Sequence, residues 1–365
     1  MKSLGHGANV EEMASLYGKN PKEIIDFSSN INPKVPEVLE EVLKEALQNA
    51  KAYPDIHYTV LRKSIATYLS VKAEEIIVGN GATEIVYLLM KTLNNKLQGG
   101  TLGVMNPTFS EYERSSRLSG MQIKDLYLTE AGNTFEINQA KLAESLDEID
   151  ALFICNPNNP TGHVQDLTGI IEILEAREKL LIVDETFMEF VAEEEKLSLV
   201  NKISQYKNLI IIKAVTKFFG LPGLRLGYGV TSNKTLLEGM YNYKEPWTVN
   251  SFAEALTPKF LEDKAYIKES KAYFIKERER MMNTLSEIKG LKVYEATTNF
   301  ILIQLFEKTA SELKTNLFKK HNMLIRDASN FKGLDEHFIR VAVKSEIENN
   351  QLIAAIREEL NHELY

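Results

Sequence analysis

Four runs in the middle of the chain, LGVM (102–105), ALFIC (151–155), LLIV (180–183) and LIII (209–212), carry no charged or strongly polar side chain at either alternating position. A strand with one face in water alternates apolar and polar residues, whereas a strand covered on both faces is apolar throughout. The runs therefore predict a mostly parallel sheet with helices on both sides. EEIIVG (74–79) and LRLGYGVTS (224–232) read as further strands, and TEIVYLLMKTLNN (83–95) and LTGIIEILEAREK (167–179) as helices between them. Strand, helix and strand in succession give the α/β class with a doubly wound sheet.

The last third has a different texture. Residues 258–286 form a long charged amphipathic helix pattern with room for a break. LKVYEA, NFILIQL, MLIRDA and HFIRVAV then mix strand-like segments with helices. A chain of 365 residues is long enough for two domains. The expected division is a large α/β domain over 31–255 and a smaller α+β domain built from 1–30 and 256–365.

Bulk properties narrow the function. The formal net charge is −8 and no basic cluster stands out, which argues against a nucleic-acid partner. No segment approaches the roughly 20 apolar residues that span a bilayer. The N-terminal stretch has acidic residues and no apolar segment of signal-peptide length. Cys155 is the only cysteine, so no intramolecular disulfide forms. The expectation is a cytoplasmic protein without a metal site.

In open α/β sheets, ligands collect beyond the carboxyl ends of the strands. Five polar clusters follow predicted strands here. GNGATE (79–84) presents the backbone N–H groups of Gly81, Ala82 and Thr83 at a helix start, where an anion binds; alone it reads more readily as a Gly-rich turn capped by Thr83. NPTFSEY (106–112) places Phe109 where an aromatic would stack on a flat ring or simply fill the core. NPNNPTG (156–162) is a rigid loop that holds Asn159. Asp184 ends an apolar run, and a carboxylate there needs a partner, either a protonated ring nitrogen or a helix start. Thr216 and Lys217 come next, with Arg225 eight residues beyond the lysine. A lysine in a partly desolvated site near other cations is a nucleophile.

In this order and spacing, the set resembles the fold type I enzymes dependent on pyridoxal 5′-phosphate, within the class I/II aminotransferase superfamily. The resemblance implies that Lys217 takes the cofactor aldehyde and that Asp184 pairs with the pyridine nitrogen. It also implies that Asn159 bonds the ring hydroxyl and that Phe109 stacks on the ring. Gly81, Ala82, Thr83, Thr216 and Arg225 would hold the cofactor phosphate. Tyr53, in AYPD, would reach the phosphate site of a neighbouring subunit, which implies a homodimer with active sites at the interface. Arg340, in FIRVAV, would clamp the substrate carboxylate.

Within the superfamily the chain resembles the L-threonine-O-3-phosphate decarboxylases of cobalamin synthesis and, next, the histidinol-phosphate aminotransferases. HGAN (6–9), DFSSNINP (26–33), EPWTVN (245–250) and the stretch 324–349 favour the first, with Ala8 and Ala328 departing from its pattern. Phe187 stands where the aminotransferases usually carry a tyrosine. A phosphorylated amino acid needs two anion sites. Arg340 takes the carboxylate in this reading; His6, Gly7, Asn32, Asn159 and Arg326 complete the substrate site. Decarboxylation and transamination use the same residues and differ in which bond at the substrate Cα is aligned to break.

Overall fold

The computed structural model describes Gly7, residues 9–37 and residues 39–361. Seven strands form the main sheet in the order Ile76–Asn80, Leu226–Val230, Leu209–Ala214, Leu180–Asp184, Ala151–Cys155, Thr101–Asn106, Gln122–Tyr127. All neighbours are parallel except Leu226–Val230, which is antiparallel to both of its partners. The apolar runs are buried on both faces as their composition demands. Leu152, Ile154, Leu181, Val183, Leu209 and Ile211 enter one core cluster, while Phe153, Ile182, Ile210 and Ile212 enter another on the opposite face.

One element departs from the sequence reading. Gln122–Tyr127 is a sheet strand that the apolar pattern does not mark, because it lies at the edge and is only partly covered. The amphipathic pattern at 258–286 carries the break that the sequence allowed. It divides into Ser251–Glu262 and Lys264–Ser286, and the carboxylate of Asp263 accepts the Tyr266 N–H at 2.9 Å to start the second.

The C-terminal part builds an antiparallel four-stranded sheet in the order Leu291–Val293, Phe300–Leu305, Phe338–Ala342, Arg326–Asp327. The N-terminal segment joins it, since Ile25–Asp26 pairs in parallel with Met323–Leu324. Beyond that pairing the chain returns to the main sheet. The Asn32 N–H donates to the Lys217 carbonyl at 3.0 Å.

Strand alternation also buries a charge. Ala214 lines the central cavity, so its neighbour Lys213 points to the opposite face. There its Nζ lies 3.2 Å from Glu189, 3.6 Å from Glu185 and 3.9 Å from Glu194. Glu185 also accepts from the Ser198 hydroxyl at 2.6 Å and the Leu199 N–H at 2.8 Å.

Candidate active site

Five parallel strands end along one edge of the sheet, at Asn80, Asn106, Cys155, Asp184 and Ala214. The antiparallel strand contributes its beginning there instead, which delivers Arg225. A cavity of about 530 Å³ opens over this edge and is roofed by the C-terminal sheet. Of the residues singled out in the sequence, Gly7, Gly81, Ala82, Thr83, Phe109, Asn159, Asp184, Thr216, Lys217, Arg225, Arg326 and Arg340 all line it.

Two glycines shape its anion end. Gly81 opens the helix Gly81–Leu97 at φ +80°, and a Cβ there would lie 2.5 Å from Arg225 Nη2. At Gly227 a Cβ would lie 2.1 Å from the Ala82 nitrogen. The absence of both side chains lets the strand, the helix start and the guanidinium meet. The first N–H groups of a helix have no partner within it and favour an anion.

Lys217 lies deep in the protein and keeps access to the cavity. Burial, with Arg340 and Arg225 nearby, pushes its amine down to about 8, against a pull upward from Asp184. That increases the neutral fraction at pH 7 by roughly 300-fold over an ordinary lysine. Burial pushes the Asp184 carboxyl up, and donors at both oxygens oppose this. The Thr186 N–H reaches Oδ1 at 2.9 Å and the Tyr112 hydroxyl reaches Oδ2 at 2.7 Å.

Arg340 is buried. It donates from Nη1 to the Asn159 side-chain oxygen and from Nη2 to the Ser28 carbonyl at 2.8 Å, while its Nε has no partner. Burial and the second guanidinium, Arg326, push it down to about 9. Because the oxygen of Asn159 accepts from Arg340, its NH2 remains the donor toward the cavity. Arg326 is steadied by Asn330 at 2.7 Å and by the Phe331 ring, 5.2 Å from its guanidinium carbon.

Two expected residues lie elsewhere. Asn32 does not line the cavity: its amide donates to the Phe218 carbonyl and the Tyr266 hydroxyl, both at 2.9 Å, so it supports the backbone behind Lys217. This corrects its expected contact with substrate. Tyr53 is 80% exposed and packs on Trp247, 4.7 Å between ring centroids, outside this chain's own cavity. His6 falls outside the described residues. Tyr112 was not singled out in the sequence. Its signal was its place three residues beyond Phe109; the Phe109 carbonyl accepts the Tyr112 N–H at 3.3 Å, and this turn into the helix carries both rings to the site.

A model of the family described as "Aminotransferase class I and II" matches residues 22–356. The chain belongs to this family. A provisionally named threonine-phosphate decarboxylase of Caldanaerobacter subterraneus subsp. tengcongensis is 40% identical over 361 residues, covering 98% of this chain and 94% of that protein. The threonine-phosphate decarboxylase of Salmonella typhimurium is 32% identical over 359 residues, covering 97% and 96%. Among solved structures, the histidinol-phosphate aminotransferase from Clostridium acetobutylicum superposes with a TM-score of 0.87 at 34% identity, covering 93% of this chain and all of that one.

Membership of this family makes the protein a pyridoxal 5′-phosphate enzyme, and the residues present fit that group. Gly81 and Gly227 leave an anion cradle beside Arg225, Asp184 is a buried carboxylate for a ring nitrogen, and Lys217 is a half-buried amine open to the cavity. Among the described residues, no helix is long and apolar enough to cross a membrane.

Proposed function

We propose that the protein decarboxylates L-threonine O-3-phosphate, or a close phosphorylated amino acid such as phosphoserine, to the corresponding amino-alcohol phosphate. The observation that carries this reading is the pair of guanidiniums, Arg326 and Arg340, in one cavity with Lys217. Two fixed cations suit a substrate with two anionic ends. The names of the two relatives of Caldanaerobacter and Salmonella support the same substrate class.

The residues divide the work. Bound pyridoxal phosphate supplies an electron sink for the pair left at the substrate Cα. Asp184 holds the ring nitrogen, and Gly81, Ala82, Thr83, Thr216 and Arg225 hold the cofactor phosphate. Asn159 donates its amide hydrogen to the ring hydroxyl, and Phe109 covers the ring face. Arg340 binds the substrate carboxylate and fixes its direction, which selects loss of CO₂ over loss of the Cα proton. Arg326 binds the substrate phosphate. Lys217 returns a proton to Cα after CO₂ has left. Phe187 is buried against Phe300, 5.0 Å between centroids, and brings no hydroxyl to the ring.

The second reading, transamination of histidinol phosphate, draws on the likeness to the Clostridium structure. Purified enzyme given a panel of phosphorylated amino acids separates the two. CO₂ release from phosphothreonine is expected. Its absence, with amino transfer from glutamate to imidazole-acetol phosphate, would overturn the decarboxylase reading. Lys217→Ala is expected to lose activity in either case.

We further place the protein in the cytoplasm as a homodimer. Tyr53, Trp247, Ile56 and Val60 are exposed along one stretch, and a second copy would cover them while receiving Tyr53 at its phosphate site. Sedimentation should give twice the chain mass, and Tyr53→Ala should weaken cofactor binding without emptying Lys217's own cavity of any side chain.

A further inference from the structure

The Tyr112 hydroxyl donates to Asp184 Oδ2 at 2.7 Å, and the Thr186 side chain acts on the same carboxylate in the same direction. The phenol is held with unusual completeness. Its ring stacks on Phe153 at 3.9 Å and 17°, and Phe109 meets it edge-on at 5.7 Å and 84°. Its carbonyl accepts the hydroxyls of Ser115 at 3.0 Å and Ser116 at 2.7 Å, which pin the helical turn beneath it. The residue is 1% exposed. Burial and the adjacent Asp184 charge hold the phenol far above its ordinary range, so it stays protonated and donates. The hydroxyl therefore has a fixed position, a fixed protonation state and one acceptor of opposite polarity.

We propose that Tyr112 is a positioning residue that sets how strongly Asp184 holds a proton on the cofactor's ring nitrogen. The inference rests on the cofactor reading above and extends it to a residue that does not itself touch the ring nitrogen. A hydrogen bond donated to a carboxylate disperses its charge and makes it a weaker base. With Tyr112 in place, a proton shared between Asp184 and a ring nitrogen resides on the nitrogen, where it strengthens the electron sink. Without the donor, Asp184 becomes the more basic partner and draws the proton to itself. No bond other than this proton's position changes. The Thr186 N–H at Oδ1 keeps the carboxylate in place in either case.

Tyr112→Phe keeps both ring contacts and removes only the hydroxyl. With enzyme loaded with ¹⁵N-labelled pyridoxal phosphate, the ring-nitrogen resonance is expected in the pyridinium range for the unaltered protein and displaced toward neutral pyridine in Y112F. Turnover should fall about tenfold to a hundredfold with KM within about twofold, the loss of one charge-assisted hydrogen bond. A 3-fluorotyrosine at position 112, a stronger donor, should move the resonance in the opposite direction while leaving apoprotein melting unchanged. An unmoved resonance in both variants would overturn the proposal, even if Y112F melted earlier or turned over more slowly. Failure of the unaltered protein to take up pyridoxal phosphate would overturn the cofactor reading, and this inference with it.

Discussion

Lys217 shows how much of a residue's chemistry is set by its surroundings. Its amine is pushed down to about 8 by burial first, then by Arg340 and Arg225. An amine whose pKa is lowered on folding is more stable unprotonated in the folded chain. The contribution to stability from this group therefore rises as pH climbs from about 8 to 10.5, and is absent below 8. The same shift governs reactivity. Uptake of pyridoxal phosphate by the apoprotein, followed by absorbance, should speed up with pH and level off above about 8. Arg340→Met removes one repelling cation, so its uptake curve should move to higher pH; an unmoved curve would mean that burial alone sets the amine. Lys217, Asp184, Asn159 and Arg225 were legible in the sequence because each sits beside a strand end, and strand ends are marked by apolar runs. Tyr112 was not, and Asn32 was picked out for a different role. Their roles depend on contacts 72 and 186 positions away in the chain, with Asp184 and Phe218, which no local pattern encodes.

At the scale of elements, the apolar runs predicted the covered sheet because burial on both faces is written in composition. They did not give direction: Leu226–Val230 is as buried as its parallel neighbours and runs the other way. That reversal makes Gly227 a contact point for the helix start, so Gly227→Ala must displace backbone. It should destabilise the protein by about 1–3 kcal/mol in urea unfolding and weaken cofactor binding at least about tenfold. The same strand layer carries a second test on its far face. Lys213 compensates three carboxylates there, and Lys213→Met should cost about 3–5 kcal/mol, as removal of one partner from a buried ionic group does. Burial holds Glu189 above its ordinary value, with Glu194 adding to the effect and Lys213 opposing it. A carboxyl raised in this way stabilises the fold below pH 4.5 and loses that contribution as pH rises through its folded value. Glu189→Gln should flatten this part of the stability profile; a profile unchanged from the original would show that another group carries it.

The whole molecule is held closed by contacts that no single element contains. Asn330 and Phe331, from the C-terminal part, line the cavity, and the next residue ties them down. Lys332 lies 2.5 Å from Glu113, on the helix Glu111–Leu118, and 2.9 Å from Asp125, on the edge strand of the main sheet. These pairs are partly exposed, so added salt should weaken them. Lys332→Ala should raise KM for the phosphorylated substrate about two- to fivefold with a smaller effect on kcat, and the rise of KM with ionic strength should be shallower than in the original protein. The interlocking of the N-terminal segment with both parts has a mechanical result. Arg340 grips the Ser28 carbonyl and Asn32 grips the Lys217 carbonyl. Three residues separate Ser28 from Asn32, so four steps of chain span about 14 Å at full extension. The guanidinium and the backbone that carries the reactive amine are thus on a short leash, and the segment from Ser28 to Asn32 sets its length.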